Sequence, residues 1–173
     1  MKKSQKTSRK IVIKVGSSIL TGGGLSICDE NLSCIVRHVA DFIGQGHQVI
    51  LVTSGAIASG LSVLGFKKRP TALSELQAAA AVGQNILMHS YSVEFQKQGL
   101  KCAQILLTRE DFADRKRYLN AKNTIHTLLA HKIVPIINEN DAVSVEEIKF
   151  GDNDTLSARV AAVVEAEGLL ILT

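Results

Sequence analysis

A lysine inside an apolar segment is the first residue of this chain whose surroundings suggest chemistry. Lys14 interrupts the apolar run Ile11–Val15, where an ammonium group is costly unless it meets an anion. Gly16 and Ser17 follow at once, and a glycine there lets backbone amides approach a phosphate or a carboxylate closely. A lysine that reaches water from a strand end, followed by a flexible turn, explains the segment equally well. The nucleotide-binding patterns GxxxxGKS/T and GxGxxG are both absent.

A serine and a glycine follow the second apolar run, within the segment TSGAIASG. Ser54 and Gly55 stand where the pattern predicts a strand-to-helix turn, and the free N–H groups of such a turn bind carboxylates or phosphates. Ser54 as an activated nucleophile is the less favoured interpretation, because GxSxG is absent and no histidine stands in a partnering position. A serine that only caps the helix is compatible with either interpretation.

Two clusters of Asn and Asp come after the fourth apolar run, at 138–141 (NEND) and 151–154 (GDND). A carboxylate such as Asp141 suits a substrate ammonium group, and an amide such as Asn153 suits a carboxylate. A calcium site is the competing interpretation, but DxDxDG spacing is missing. Turn formation explains any single one of these residues, but explains both clusters together less well. Ile148–Phe150, between the clusters, is expected to form a small hairpin over the sheet edge.

The segment after the third apolar run is rich in charge. Thr108–Asp111 and Asp114–Arg117 together predict a solvated charged loop or a salt-bridged contact between subunits.

Five short apolar runs must position these polar residues, and longer amphipathic stretches separate them. Runs that are nearly continuous in Ile, Val and Leu are typical of strands buried on both faces of a parallel sheet. The alternation of strands and helices predicts an α/β fold, a three-layer αβα sandwich with a mainly parallel sheet. Ligands bind outside the carboxyl ends of such strands, where the polar clusters fall. The five runs are Ile11–Val15, Val49–Val52, Ala103–Leu107, Ile133–Ile137 and Leu169–Leu172.

Helical periodicity fills the intervening segments. Asp29 is predicted to cap the first helix, and Asn153 or Asp154 the last, which Gly168 is predicted to end. The predicted helices span Glu30–Gly44, Thr71–Gln98, Tyr118–His131 and Thr155–Glu167.

Composition narrows the class of protein further. The chain has 173 residues, of which 46% are hydrophobic, and this suits one globular domain. Part of the net charge of +4 lies in residues 1–9, which we expect to be a basic, disordered arm rather than a nucleic-acid contact. No apolar run reaches the ~18 residues of a membrane span, and no secretory signal follows the arm. The three cysteines show no zinc-like spacing, which indicates reduced thiols in a cytoplasmic protein without a metal site.

Five segments in this order carry a family resemblance: IVIKVGSS, VTSGAIASG, LLTREDF, IVPIINENDAV and GDNDTLSA. They resemble the glutamate 5-kinases of the amino acid kinase superfamily, over residues 10–173. The resemblance implies transfer of the ATP γ-phosphoryl group to the side-chain carboxylate of L-glutamate, with Mg²⁺, as the first step of proline biosynthesis. A related kinase with another carboxylate or carbamate substrate is the alternative within enzymes.

The resemblance also implies roles for individual residues. Lys14 corresponds to the lysine that contacts the transferred phosphate, and Asp154 to the aspartate that organises the catalytic lysines. ATP binding is implied for Lys14, Gly16, Ser17 and Thr173. Glutamate binding is implied for Ser54, Gly55, Asp141 and Asn153.

Residues 10–173 correspond to the amino-terminal, substrate-binding part of the family's domain. The family continues past the position of Thr173 into a nucleotide-binding half, so we expect a partial chain whose sheet ends in an exposed apolar edge. A non-catalytic fragment that binds glutamate or proline is therefore a second alternative. The family further implies a homo-oligomer, with Asp111–Arg117 as a candidate contact, and feedback inhibition by proline.

Overall fold

A single parallel sheet organises the molecule. The computed structural model describes residues 8–143 and 152–173, so residues 1–7 of the predicted arm and the predicted hairpin at Ile148–Phe150 lie outside the described residues. The strands are β1 (Lys10–Val15), β2 (Gln48–Thr53), β3 (Lys101–Leu107), β4 (Ile133–Glu139) and β5 (Gly168–Leu172). Their order across the sheet is β3-β4-β2-β1-β5, and every pairing between them is parallel.

Helices cover both faces of this sheet. In the described part of the chain they are α1 (Ser17–Thr21), α2 (Asp29–Gly44), α3 (Ala56–Leu61), α4 (Leu73–Lys97), α5 (Arg109–Ala113), α6 (Arg115–Ala130) and α7 (Asp152–Val164). One buried cluster joins the sheet to α2 and α4, and a second joins it to α6 and α7. The predicted three-layer αβα sandwich is therefore confirmed.

The two faces of β1 explain where its lysine points. Ile13 and Val15 belong to the core under α2 and α4, whereas Val12 belongs to the core under α6 and α7. Because successive side chains of a strand alternate between faces, Lys14 shares the face of Val12 and points toward α7.

The prediction that all strands are buried on both faces is wrong for the two edge strands. Half-exposed and exposed residues dominate β3, and in β5 Leu170, Ile171 and Leu172 are exposed by 43%, 47% and 38%. The composition of a strand does not report its place in the sheet, and an edge strand has a neighbour on one side only. The expected exposed apolar edge is confirmed at β5.

Two predicted helix caps are wrong. Helix α2 begins at Asp29 itself, after Cys28 as N-cap, so the Asp29 carboxylate lies in the first turn, where it favours the helix dipole. Helix α7 begins at Asp152, which places Asn153 and Asp154 inside its first turn. Their side chains contact other elements, as described below, instead of capping their own helix. Gly168 begins β5 rather than ending α7, whose last residue is Val164.

The segment predicted as a charged loop forms the short helix α5. The Asp111 carboxylate accepts a hydrogen bond from the Thr108 amide at 2.7 Å, the reciprocal bond of a capping box. The same carboxylate pairs with Arg117 at 3.1 Å within the chain. Helix α6 follows directly, and the Asp114 side chain accepts from the Arg117 amide at its start.

Helices α3 and α4 cross at two glycines that allow backbone contact. A Cβ atom on Gly60 would lie 1.9 Å from the carbonyl oxygen of Ala79, and one on Gly83 would lie 1.7 Å from that of Ala56. Both distances are far below van der Waals contact, so only glycine permits this crossing. It fixes α3, whose first residue borders the functional cleft described next.

Two further predictions concern the state of the cysteines and the presence of a membrane-spanning helix. Cys28, Cys34 and Cys102 are free thiols, as the spacing predicted. Within residues 8–143 and 152–173, no helix combines the length and apolar character needed to cross a membrane.

Candidate functional site

A cleft of about 200 Å³ opens at the carboxyl ends of β1, β2 and β4, beside the start of α7. This is the place that parallel-sheet topology predicts for a ligand. All of the site residues expected from the sequence line it: Lys14, Gly16, Ser17, Ser54, Gly55, Asp141, Asn153, Asp154 and Thr173. The chain brings these residues together from the ends of β1, β2, β4 and β5 and from the start of α7, and the most distant two, Lys14 and Thr173, are about 160 positions apart in the sequence.

An ion pair closes the floor of the cleft. The Lys14 Nζ atom lies 2.6 Å from Asp154 Oδ1, and the side chains of the two residues are 7% and 44% exposed. Lys14 stands between Val52 of β2 and Ile171 of β5 in the sheet, so its backbone is held on both sides. The pair therefore places a fixed positive charge in the cleft, with its counter-ion on the first turn of α7.

The Asn153 amide connects three elements at the cleft wall. Its Nδ2 atom lies 2.9 Å from the Thr53 carbonyl oxygen, 2.8 Å from Ser54 Oγ and 3.2 Å from Asn138 Oδ1. An amide nitrogen carries two hydrogens, so these three acceptors occupy it fully. The contact of Asn153 with a ligand carboxylate stays a prediction, and in the structure this amide bonds to Ser54, whose hydroxyl hydrogen is left to donate.

The turn after β2 is anchored from below by a buried tyrosine. Thr53 Oγ1 donates to the Ser54 carbonyl at 3.1 Å and lies 3.0 Å from the Tyr91 hydroxyl. Because the one hydroxyl hydrogen of Thr53 goes to Ser54, Tyr91 is the donor to Thr53. Burial raises the pKa of Tyr91 above its ordinary value. Gly55 follows with φ +97°, a conformation that favours glycine, and begins α3 as its N-cap.

The amide of Gly16 has a partner within the fold. It donates to the Leu172 carbonyl at 2.9 Å, which joins the turn after β1 to the end of β5. A Cβ atom at this position would lie 3.1 Å from that carbonyl oxygen and 3.4 Å from Lys14 Nζ. The glycine thus permits the close approach of β5 and of Lys14, and contact of Gly16 and Ser17 with ATP stays a prediction.

Sequence reasoning missed three residues that the structure connects to the cleft. Asn138 and Arg69 line it, and Gln84, on α4, bonds to Asn138 from behind. Asn138 belongs to the NEND cluster at 138–141, in which Asp141 was the residue predicted to bind a ligand. Gln84 lies in a long helical pattern with no local signal, and its partner is 54 positions away.

The charges of the cleft suit a zwitterion together with a phosphate group. Lys14 and Arg69 supply positive charge, and Glu139, Asp141 and Asp154 supply negative charge. Among the residues that the structure describes, no three His, Cys, Asp or Glu side chains come close enough together to hold a metal ion. A Mg²⁺ ion fits such a site through substrate phosphates and one or two carboxylates.

Comparison with known proteins identifies the class of α/β protein to which this fold and its cleft belong. The solved structure of carbamate kinase from Giardia superposes on 97% of this chain and 74% of its own, with a TM-score of 0.64 at 15% sequence identity, so the two share a fold. Residues 9–173 match the amino acid kinase family. The chain belongs to that family.

Individual relatives within the family are much more similar. The chain is 51% identical over 168 residues to the glutamate 5-kinase of Saccharophagus degradans and 53% identical over 168 residues to that of Nitrosococcus oceani. In both cases the alignment takes in 97% of this chain and 45% of the relative. The chain thus spans about half the length of the curated relatives that it matches.

Proposed function

We propose that this chain forms the acceptor-binding part of a glutamate 5-kinase. The complete protein transfers the γ-phosphoryl group of ATP to the side-chain carboxylate of L-glutamate and makes an acyl phosphate for proline synthesis. One observation carries the proposal: the ion pair of the buried Lys14 with Asp154 lines the same cleft as Ser54 and Asp141. The identity of about half of the residues with glutamate 5-kinases over nearly the whole chain supports glutamate as the acceptor.

Glutamate binding follows from polar groups that share the cleft with Lys14. The Asp141 carboxylate suits the ammonium group of an amino acid. The Ser54 hydroxyl, with the amide of Gly55 beside it, suits the α-carboxylate. With the ammonium group and the α-carboxylate both held, the side-chain carboxylate is left to meet Lys14, and this positioning is a main source of catalysis in phosphoryl transfer.

The reaction brings two anions together, and Lys14 is placed to offset their repulsion. A carboxylate oxygen forms a bond to the γ-phosphorus as the bond to the ADP oxygen breaks. The Lys14 ammonium, held by Asp154, stabilises the charge on the transferred group. Mg²⁺, when bound, neutralises the phosphate oxygens of ATP. Ser17 and Thr173 border the same space and are proposed to contact the nucleotide.

A substrate panel on the full-length protein tests the proposal. Glutamate, aspartate, N-acetylglutamate and carbamate are each supplied with ATP and Mg²⁺, and ADP release is measured alongside trapping of the acyl phosphate by hydroxylamine. We expect glutamate to exceed aspartate, one methylene shorter, by at least about tenfold in kcat/KM. A higher kcat/KM for another acceptor, or ADP release without hydroxamate formation, would contradict the assignment.

The Gly55 turn gives a second test at the glutamate end of the cleft. Because Gly55 has φ +97°, Gly55→Ala should lower the free energy of unfolding by about 1–3 kcal/mol and weaken glutamate binding measured by calorimetry. Gly23→Ala is the matched control, since Gly23 has φ +83° and open space around it. The control should lose similar stability and keep its glutamate affinity; equal loss of affinity in both variants would refute a local role.

We further propose a cytoplasmic homo-oligomer that proline inhibits at the glutamate site. These three points rest on the family resemblance alone. A chain that binds glutamate or proline without catalysis remains the alternative for the 173-residue chain by itself, since the binding groups named above all lie within it. Calorimetry with glutamate, proline and ATP separates the two, because tight ATP binding by this chain would count against the alternative.

A further inference from the structure

A line of three side-chain amides runs from the cleft wall into helix α4. Asn153 Nδ2 lies 3.2 Å from Asn138 Oδ1, and Asn138 Nδ2 lies 2.8 Å from Gln84 Oε1. Asn138 is 1% exposed and Gln84 is 9% exposed, so water does not compete for these bonds. Among the residues that the structure describes, Gln84 is not part of the cleft lining, and its oxygen bonds to Asn138, which is.

The direction of every bond in this line is fixed by one backbone group. The Thr53 carbonyl can only accept, so Asn153 must turn its NH₂ group toward it. Asn138 must then present its oxygen to Asn153 and its NH₂ group away from it. Gln84 is therefore required to supply an oxygen, and the three amides have one consistent orientation.

The side-chain nitrogen of Gln84 shows that this orientation costs free energy. Its Nε2 atom is buried and has no hydrogen-bond partner within the part of the chain that the structure describes. Ala80 and Leu87, one helical turn away on either side, are apolar and buried. An apolar residue at position 84 would remove the unpaired donor, but it would leave the buried NH₂ group of Asn138 without its acceptor. A glutamine with a stranded donor indicates that its acceptor oxygen is needed.

We infer that Gln84 is a positioning residue for the acceptor site: through Asn138 it fixes the Asn153 amide, so that Ser54 presents a hydroxyl donor to the bound carboxylate. The inference rests on the proposed function, since it takes the α-carboxylate of glutamate as the group that Ser54 meets. Without the Gln84 oxygen, the NH₂ group of Asn138 has no acceptor on the side of α4. The Asn138 amide can then rotate and turn its NH₂ group toward Asn153. That group would compete with the NH₂ group of Asn153 for the acceptors Thr53 and Ser54.

Two substitutions at this position separate positioning from packing. Gln84→Met has similar length and no acceptor, whereas Gln84→Glu keeps an oxygen for Asn138 and removes the stranded NH₂ group. In the full-length protein we expect Gln84→Met to raise the KM for glutamate about tenfold, the effect of one lost hydrogen bond at a polar group, with kcat and the KM for ATP little changed. Gln84→Glu should restore the KM to within about threefold of the wild type. Gln96→Met, on the exposed face of the same helix, is the matched control.

Two further readouts decide whether Gln84 acts through Asn138. In an Asn138→Ala background, Gln84→Met should have no additional effect on the KM for glutamate. The side-chain ¹⁵N–¹H₂ signals of Asn138 and Asn153 should shift in Gln84→Met and remain in place in Gln96→Met. The inference is overturned if those signals are unchanged, if Gln84→Glu behaves like Gln84→Met, or if the effects in the double variant simply add. Absence of glutamate binding by the wild-type protein would instead refute the proposed function, while the amide signals would still test the line itself.

Discussion

Replacement of Lys14 by methionine is expected to lower kcat for phosphoryl transfer about 100–1,000-fold, with glutamate affinity retained. The ammonium group lies 2.6 Å from Asp154, and in the proposed mechanism it supplies positive charge where the two anionic reactants meet. The proposed contacts of glutamate are with Ser54 and Asp141, after other strands, so its dissociation constant should change little. Steady-state ADP release and calorimetry with glutamate measure the two effects separately.

Lys14→Met should lower the free energy of unfolding by less than the loss of one partner of a fully buried ion pair does. Breaking such a pair typically costs ~3–5 kcal/mol, but the Asp154 side chain is 44% exposed and water can solvate the carboxylate that is left. Lys122→Met is the matched control, because Lys122 pairs with the exposed Glu165 at 2.7 Å and neither residue lines the cleft. A wild-type kcat in Lys14→Met, or an equal loss in Lys122→Met, would remove Lys14 from the mechanism.

Replacement of Gly83 by alanine is expected to have the largest effect on stability. The new Cβ atom would meet the Ala56 carbonyl oxygen at 1.7 Å and the Gly60 amide nitrogen at 2.5 Å. Both contacts are with backbone, which cannot rotate away, so α3 must move. We expect the free energy of unfolding to fall by about 3 kcal/mol or more, measured by urea denaturation. Since α3 follows directly on Gly55, glutamate binding should weaken as well.

A glycine elsewhere in a helix provides the control for this substitution. Gly44, the last residue of α2, has open space where a Cβ atom would lie. Gly44→Ala should therefore leave stability unchanged or raise it by up to about 1 kcal/mol, because alanine loses less conformational entropy on folding. If Gly83→Ala is as stable as Gly44→Ala, the two helices do not cross through their backbones as described.

The sequence was most informative where a residue contrasts with its neighbours. The apolar run around Lys14 predicted either an anion for its ammonium group or a route to water, and the structure pairs it with Asp154 on α7. The apolar runs predicted the strands to within two residues at either end, because buried parallel strands need continuous apolar character. The same signal failed at the edges, since β3 and β5 are apolar although only one side of each is paired.

What the sequence could not show depends on contacts between distant positions. Asn153 and Asp154 have the types and location of helix caps, and only the approach of β1 and β2 recruits them away from their own helix. Gln84 is one polar residue in a long helix, and nothing nearby in the chain distinguishes it from a solvated one. The helix α5 had a local signal in Thr108 and Asp111, but the surrounding charge suggested a loop instead.

The strand order has a consequence for how this binding site comes into existence. β1, at the start of the described chain, pairs with β5, so that Ile11 lies beside Gly168, and the cleft draws on both ends of the sequence. Contacts of such long sequence separation carry a high entropic cost, because large loops must close to form them. A form in which β1 and β5 are unpaired lacks this complete cleft, so a ligand that binds the cleft selects the native state and shifts the folding equilibrium toward it by mass action. The concentration of such a ligand and the fraction of folded protein are thereby linked.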